Sequence, residues 1–308
     1  MILLSRSGVP GTGEGNGELR PEYPSVSVVI PAHNSWPQLE KQLEAIAAQT
    51  YVGLTEVIVA DNNSAVPLQE QCGDLDIPGL KFVEAVGGRG AAFARNTGAR
   101  LATGDFLAFC DADDVVHPTW LDALIRCAAW HDVVGTAIET GSINTDRALD
   151  RTPTTPPEQQ GKSAFLPFAI GASLGCWASV YRELGGMDSD VKASEDVEFS
   201  WRAQLNGFSL GFERTALVGY RLREDLRPLV RQSYILGYGF AQVQGLYRDR
   251  GCPPVKIRRV LYWWMMLTLG NPLIPRRITK ISRGQWLRAV AAHLGELRGG
   301  IRFRTFAW

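Results

Sequence analysis

Short β-branched or apolar runs recur along the first third of this chain, at residues 26–30, 56–60, 81–83 and 106–110. Their length and composition are those of buried strands. Segments with helical spacing lie between them. Leu39, Leu43, Ile46 and Ala47 share one helical face, and Asn34-Ser35 reads as the cap of that helix, running through Trp36-Pro37 to about Gln49. Gly87-Gly88-Arg89-Gly90 opens a second helix over residues 91–101, and Gly104 stops it. Pro118-Thr119-Trp120 starts a third, through Leu121, Leu124 and Ile125. Residues 141–163 are polar and contain Pro153, Pro156 and Pro157, which predicts a long loop of the lid or binding kind. Residues 164–180 are apolar and broken by glycine. Val197, Trp201 and Leu205 then mark another helix, closed by Gly207. Residues 226–247 form a long amphipathic pattern, and residues 260–270 are apolar but too short to span a bilayer.

Strand–helix alternation predicts an α/β fold with a mainly parallel sheet flanked by helices. Ligands of such sheets bind outside the carboxyl ends of the strands. Three of those ends carry polar groups here, at residues 31–34, 61–64 and 111–114.

The third of these ends changes the picture most. Asp111-Ala112-Asp113-Asp114 follows a buried run directly, and carboxylates crowded at one point need a compensating cation. A hard divalent ion, Mg²⁺ or Mn²⁺, held through one or two carboxylates usually brings a phosphorylated ligand with it. The pattern therefore points to a metal-assisted nucleotide-diphosphate site.

The formal net charge of zero hides an asymmetry. From Arg221 onward there are 17 Lys+Arg against 4 Asp+Glu, so the rest of the chain is correspondingly acidic. A basic half of this kind is either a solvated surface or the face for an anionic partner such as lipid headgroups, a polyprenyl phosphate or nucleic acid. The short 260–270 run is rich in Trp and Tyr and bracketed by Arg258, Arg259, Arg276 and Arg277. It reads either as an element lying in a membrane interface or as a core helix. Five scattered cysteines without a CxxC pair argue for a reducing compartment and against a zinc site. Residues 1–23 read as a disordered leader without a signal peptide.

Taken in order, the motifs at residues 28–34 (Val-Val-Ile-Pro-Ala-His-Asn), 56–64, 94–98 (Ala-Arg-Asn-Thr-Gly), 104–114, 185–188 and 195–202 (Glu-Asp-Val-Glu-Phe-Ser-Trp-Arg) resemble glycosyltransferase family 2 over roughly residues 25–220. The resemblance implies a GT-A fold, like that of nucleotide-diphosphosugar transferases, over residues 24–220, followed by a mostly helical basic region over 221–308. It implies inverting transfer from a nucleotide sugar with a divalent metal. Carried over residue by residue, Pro31, Ala32, His33 and Asn34 border the base and ribose. Asp61 accepts a hydrogen bond from the base, most often uracil. Arg89 and Arg95 border the nucleotide, unless Arg95 is structural. Asp111 faces ribose and metal, Asp113 is the direct metal ligand, and Asp196 is the general base. Glu195 orients Asp196, contacts the acceptor or pairs with Arg202. Gly175, Cys176 and Trp177 fall at the floor of the acceptor pocket, where Trp177 either stacks on a sugar or is a core residue. His33 stands where many relatives carry an aromatic or apolar residue, and packing explains it better than catalysis. Asp114 belongs to the site or caps the next helix. The second motif reads Asp-Asn-Asn-Ser where Asp-Asp-Gly-Ser is common.

The expected product is a cell-surface glycan or glycolipid, with natural-product or peptide glycosylation as the alternative. The acceptor is accordingly a glycan, lipid-linked or small molecule. The enzyme is expected in the cytoplasm, peripheral on the inner face of the membrane, with no nucleic acid partner. A nucleotidyltransferase would need a Gly-rich, basic loop after the first strand. A dehydrogenase would need GxGxxG there. The sequence there is Pro31-Ala32-His33-Asn34-Ser35-Trp36, with neither feature. A non-catalytic nucleotide-sugar-binding partner in a polysaccharide-assembly complex is disfavoured because every acidic motif is kept.

Overall fold

The computed structural model describes residues 20–307, apart from residues 22, 74, 76 and 78. The first elements are β1 (Val26–Ala32), α1 (Gln38–Ala47), β2 (Leu54–Asp61), α2 (Leu68–Gln71), β3 (Leu80–Glu84), α3 (Ala91–Leu101) and β4 (Phe106–Cys110). There follow β5 (Val115–Val116), α4 (Trp120–Ala128), β6 (Val133–Glu139), α5 (Asp146–Arg151), β7 (Ser173–Trp177), α6 (Ala178–Glu183), α7 (Glu195–Leu205) and β8 (Leu210–Gly219). The chain continues with α8 (Leu226–Leu246), β9 (Val255–Lys256), α9 (Ile257–Leu269), α10 (Arg276–Thr279), α11 (Arg283–Arg302) and β10 (Phe306–Ala307).

The first eight strands form one sheet in the order β3-β2-β1-β4-β7-β6-β8-β5. β1 to β4 are parallel to one another, and β6 is parallel to β8. β7 runs antiparallel between β4 and β6, and β5 runs antiparallel to β8. The sheet is therefore mixed. Its central strands are near-continuous apolar runs because helices cover both faces. Val28, Val29, Ile30, Val57, Val59, Phe106 and Phe109 are fully buried in one core that also takes in Leu39, Leu43 and Ile46 of α1 and Trp120 of α4.

Several boundaries differ from the sequence reading. β1 continues through Pro31, which pairs with Ala60. The last β1–β4 pair is Val29 with Phe109, so the missing N–H of Pro31 interrupts no ladder toward β4. α1 starts at Gln38 without a side-chain cap. Asn34 is engaged elsewhere, its Oδ1 accepting from Ala65 N at 2.8 Å. The 141–163 segment is not a bare loop, since α5 and a short 3₁₀ turn at Pro157–Gln159 lie within it. The expected disordered leader falls largely outside the described residues. Arg20, at its end, is anchored: it donates to Ala128 O and His131 O, pairs with Asp132 and lies over the Trp177 ring.

After β8 the chain leaves the sheet. α8 and α11 approach backbone to backbone. A Cβ at Gly237 would stand 2.1 Å from Ala292 O, and one at Gly295 would stand 2.1 Å from Tyr234 O, so only glycine fits at these crossings. The pair is fastened to α7 through Trp201, which meets Phe240 and Tyr247 edge-on. Tyr247 Oη also donates to Glu198 Oε1 at 2.7 Å. Among the described residues no helix is long and apolar enough to cross a membrane.

Candidate active site

The carboxyl ends of β1, β2 and β4 frame an open cavity of about 710 Å³. Pro31, Ala32, His33 and Asn34 form one wall, Asn62, Asn63 and Arg89 another, and Asp111, Ala112 and Asp113 a third, with Arg223 arriving from beyond β8. Convergence at this edge follows from the register, which aligns Ala32 with Asp61 and Val29 with Phe109.

Polar side chains lace the loops together. His33 Nδ1 meets Asn62 O at 2.8 Å, and His33 Nε2 meets Asn34 Nδ2 at 3.0 Å. A carbonyl can only accept, so Nδ1 carries the proton and Nε2 takes the amide hydrogen. His33 thus ties the first loop to the second, with its exposed ring on the cavity wall. Asn62 goes further. Its Nδ2 donates to Ala85 O and Gly88 O, and its Oδ1 accepts from Gly90 N at 2.9 Å. That side chain shapes the turn that opens α3, where Gly90 holds φ at 106°. Gln42, buried on α1, grips the acidic turn from below by donating to Asp111 O and accepting from Val116 N. Neither Asn62 nor Gln42 was singled out from the sequence. The Asp-Asn-Asn-Ser departure was the available signal for Asn62.

Arg95 organises the floor. Its side chain is 2% exposed, which removes it from direct contact with a nucleotide and corrects that reading in favour of the structural one. Nη1 donates to Glu195 Oε1 at 2.6 Å and Nη2 to Asp111 Oδ1 at 2.7 Å, while Gly171 O accepts a longer bond at 3.2 Å. Burial disfavours its charge, but Asp111 and Glu195 hold it firmly cationic. Burial also pushes the Asp111 carboxyl up, against the pull of Arg95.

Asp196 lies in the first turn of α7, next to this network. Its Oδ2 accepts from Gly171 N at 2.7 Å and its Oδ1 from Val197 N at 2.8 Å. Burial, and then the neighbouring Glu195 charge, push its pKa up to about 6. A carboxylate poised there is more basic than a surface aspartate and still ionised at neutral pH. Glu195 turns to Arg95, and it is Glu198 that pairs with Arg202.

Asp113 pairs with Arg223 at 2.7 Å, and Arg221 Nε donates to the Asp113 carbonyl at 2.6 Å. Asp114 is buried and accepts from Arg221 N at 2.7 Å. Burial lifts its pKa well above the ordinary value. It does not cap α4, whose first turn follows Thr119.

Two expectations are displaced. Asp61 is not part of the cavity wall; its oxygens accept from Ser64 N and Leu68 N. Gly175, Cys176 and Trp177 lie in β7, which runs antiparallel to β4 and pairs Trp177 with Phe106 at the far end from the acidic turn. Cys176 is fully buried, and Trp177 packs edge-on against Phe106 with its Nε1 bonded to Ala128 O and His131 O. Trp177 is a core residue, and this stretch is no acceptor floor.

The model of glycosyl transferase family 2 matches residues 27–185. The chain belongs to glycosyl transferase family 2. It is 34% identical over 249 residues to a glucosyl-dolichyl phosphate glucuronosyltransferase of Haloferax volcanii, covering 72% of this chain and 78% of that protein. It is 27% identical over 266 residues to a pre-mycofactocin glycosyltransferase of Mycobacterium tuberculosis, covering 82% of this chain. The aligned part spans only 54% of that relative's length. A mannosyltransferase of Pyrobaculum calidifontis, solved in complex with GDP-Man and Mn²⁺, superposes with a TM-score of 0.56 at 20% identity, over 94% of this chain and 91% of that one. This likeness shows the GT-A fold expected of family 2. Glu195 and Asp196 lie beyond the matched segment; Arg95 joins Glu195 to it and Gly171 N joins Asp196.

Proposed function

We propose that the chain is an inverting glycosyltransferase that moves a sugar from a UDP-sugar to an acceptor hydroxyl in a single displacement. Asp196 takes the hydroxyl proton, the acceptor oxygen bonds to the anomeric carbon, and the bond from that carbon to the diphosphate breaks. One observation carries this reading. Arg95 bridges Asp111 of the donor cavity to Glu195, so the elevated-pKa carboxylate of Asp196 sits beside the cavity floor.

Asp111 and Asp113 fit a hard cation. Both line the cavity, and each has one carboxylate oxygen without a protein partner among the described residues. Among the same residues no cluster of three potential ligands exists, so two carboxylates and the donor diphosphate would hold Mn²⁺ or Mg²⁺. When bound, it supplies positive charge where the leaving diphosphate becomes more negative. The Mn²⁺ and GDP-Man named for the archaeal mannosyltransferase agree with this donor class. Residues 24–220 would form the catalytic unit of a cytoplasmic enzyme and residues 221–308 an appended basic region. The acceptor would be a lipid-linked or cell-surface glycan, the lipid-linked case being supported by the glucosyl-dolichyl phosphate in the name of the Haloferax relative.

A thermal-shift panel of UDP, GDP, ADP and dTDP with Mn²⁺ tests the donor, because a bound ligand raises apparent stability. The largest shift is expected with UDP. A largest shift with GDP would overturn the base and leave the reaction class standing. No shift with any of the four would overturn the donor site.

A further inference from the structure

α9 is amphipathic in the reversed sense. Its inner edge, through Trp263 and the Leu267 carbonyl, meets α11: Trp263 stacks on His293, and Trp286 Nε1 donates to Leu267 O. The face turned to solvent carries Leu261, Tyr262, Met265, Met266 and Leu269, each exposed by between 42% and 64%. Leu273 and Ile278 follow, 93% and 67% exposed. No residue of α9 is buried, so the core-helix reading fails. Contiguous apolar surface of this kind marks an interaction site.

Charge names the partner. Residues 250–295 hold nine Lys and Arg and no Asp or Glu. Arg258, Arg277 and Lys280 are exposed, and they have no acidic partner among the described residues. A second copy packed face to face on this patch would bring two arginine clusters together, which is repulsive. A surface that is apolar inside and anionic outside accommodates both features.

We propose that the outward face of α9, with the turn through Ile278, docks in the interface of an anionic lipid bilayer. The exposed Leu, Met and Tyr side chains enter the acyl boundary, and the bracketing cations meet the headgroups. Leu226, which lies three residues beyond Arg223 of the donor cavity, shares a second cavity with Pro272, Ile274 and Arg276. The turn that follows α9 thus shares a cavity with the start of α8, the helix that follows Arg223 in the chain. The docking itself does not depend on the donor chemistry.

The test is co-sedimentation of the full chain with phosphatidylcholine vesicles, with and without phosphatidylglycerol. Binding is expected only with phosphatidylglycerol and should weaken as salt rises. The triple variant Leu261→Gln, Met265→Gln, Leu269→Gln should lose about tenfold in partitioning. Its melting temperature and its UDP-induced shift should stay at parental values, since all three side chains face solvent. Arg258→Gln with Arg277→Gln and Lys280→Gln should lose the lipid preference. A parent that stays in the supernatant overturns the proposal, as does a triple variant that sediments like the parent. Parental self-association abolished by the triple variant would assign the face to a second copy instead, and likewise overturn it.

Discussion

Arg223 Nη1 donates to Asp113 Oδ2 across 2.7 Å, joining the exit of β8 to the acidic turn after β4. The guanidinium both lines the donor cavity and neutralises the carboxylate assigned to the metal. A cation on Asp113 competes with Arg223, and a diphosphate in the cavity attracts it. Arg223→Ala should therefore act with opposite signs on the two ligands. Mn²⁺ alone should bind more tightly, and UDP should bind about tenfold more weakly, near 1.4 kcal/mol. Titration calorimetry reads both. A variant that weakens Mn²⁺ and UDP together would reject the competition.

Arg95 is a buried cation facing two carboxylates, and its removal strands both. Arg95→Ala should cost about 3–5 kcal/mol of folding stability, as for other broken buried pairs. Arg95→Lys should recover only part of this, because an ammonium cannot span Asp111 and Glu195 as a fork does. Urea unfolding gives the comparison. A loss below about 1 kcal/mol in the alanine variant would mean that the bridge does not carry the floor.

The same residue shows where the sequence stops being readable. β1 to β4 announce themselves as β-branched or apolar runs, whereas β5 to β8 are not read as strands, and the acidic turn announces an electrostatic problem. Both are local signals, and both sit where expected. Arg95 has partners 16 and 100 positions away, and nothing within its own helix distinguishes it from an arginine that touches nucleotide. Trp177 was misplaced for a related reason: β7 is inserted antiparallel between β4 and β6, which turns the end of a glycine-broken apolar run away from the cavity. For α9 the spacing shows an amphipathic helix, but which face is covered depends on α11, some 20 residues later. Arg223 lies past every recognisable motif, in a basic region whose bulk charge says nothing of one particular pairing.

The pKa of Asp196, near 6, fixes the sign of a pH effect. The base must be ionised, so kcat/KM should rise tenfold per pH unit below about pH 6 and level off above it. Asp196→Asn should lose about a thousandfold in turnover, lack this limb and still bind UDP. Stability runs the other way. A carboxyl whose folded pKa is raised favours the folded state most below its unfolded value, near 3.8, and that contribution is lost as pH rises through about 6. The parent should thus lose stability as pH rises toward about 6 by an amount that the Asn variant, which does not titrate, lacks. Retained turnover in Asp196→Asn, or a pH profile unchanged by it, would remove Asp196 from the mechanism.

Gly171 is the hinge between the two carboxylate groups. Its N–H holds Asp196 Oδ2 and its carbonyl receives Arg95 Nη2. A Cβ built there would stand 3.0 Å from Arg95 Nη2 and 3.3 Å from Asp196 Oδ2. The side chains can yield by a few tenths of an ångström, so Gly171→Ala should fold. The cost falls on alignment instead, because a base displaced by a fraction of an ångström works less well. Turnover is expected to drop about tenfold, with a smaller rise in the KM for UDP-sugar, since Gly171 reaches the donor wall only through the Arg95 bond to Asp111. A steady-state comparison of the two parameters separates this from general damage. If the KM for UDP-sugar rises while turnover holds, Gly171 belongs to the donor wall and the assigned position of the base is wrong.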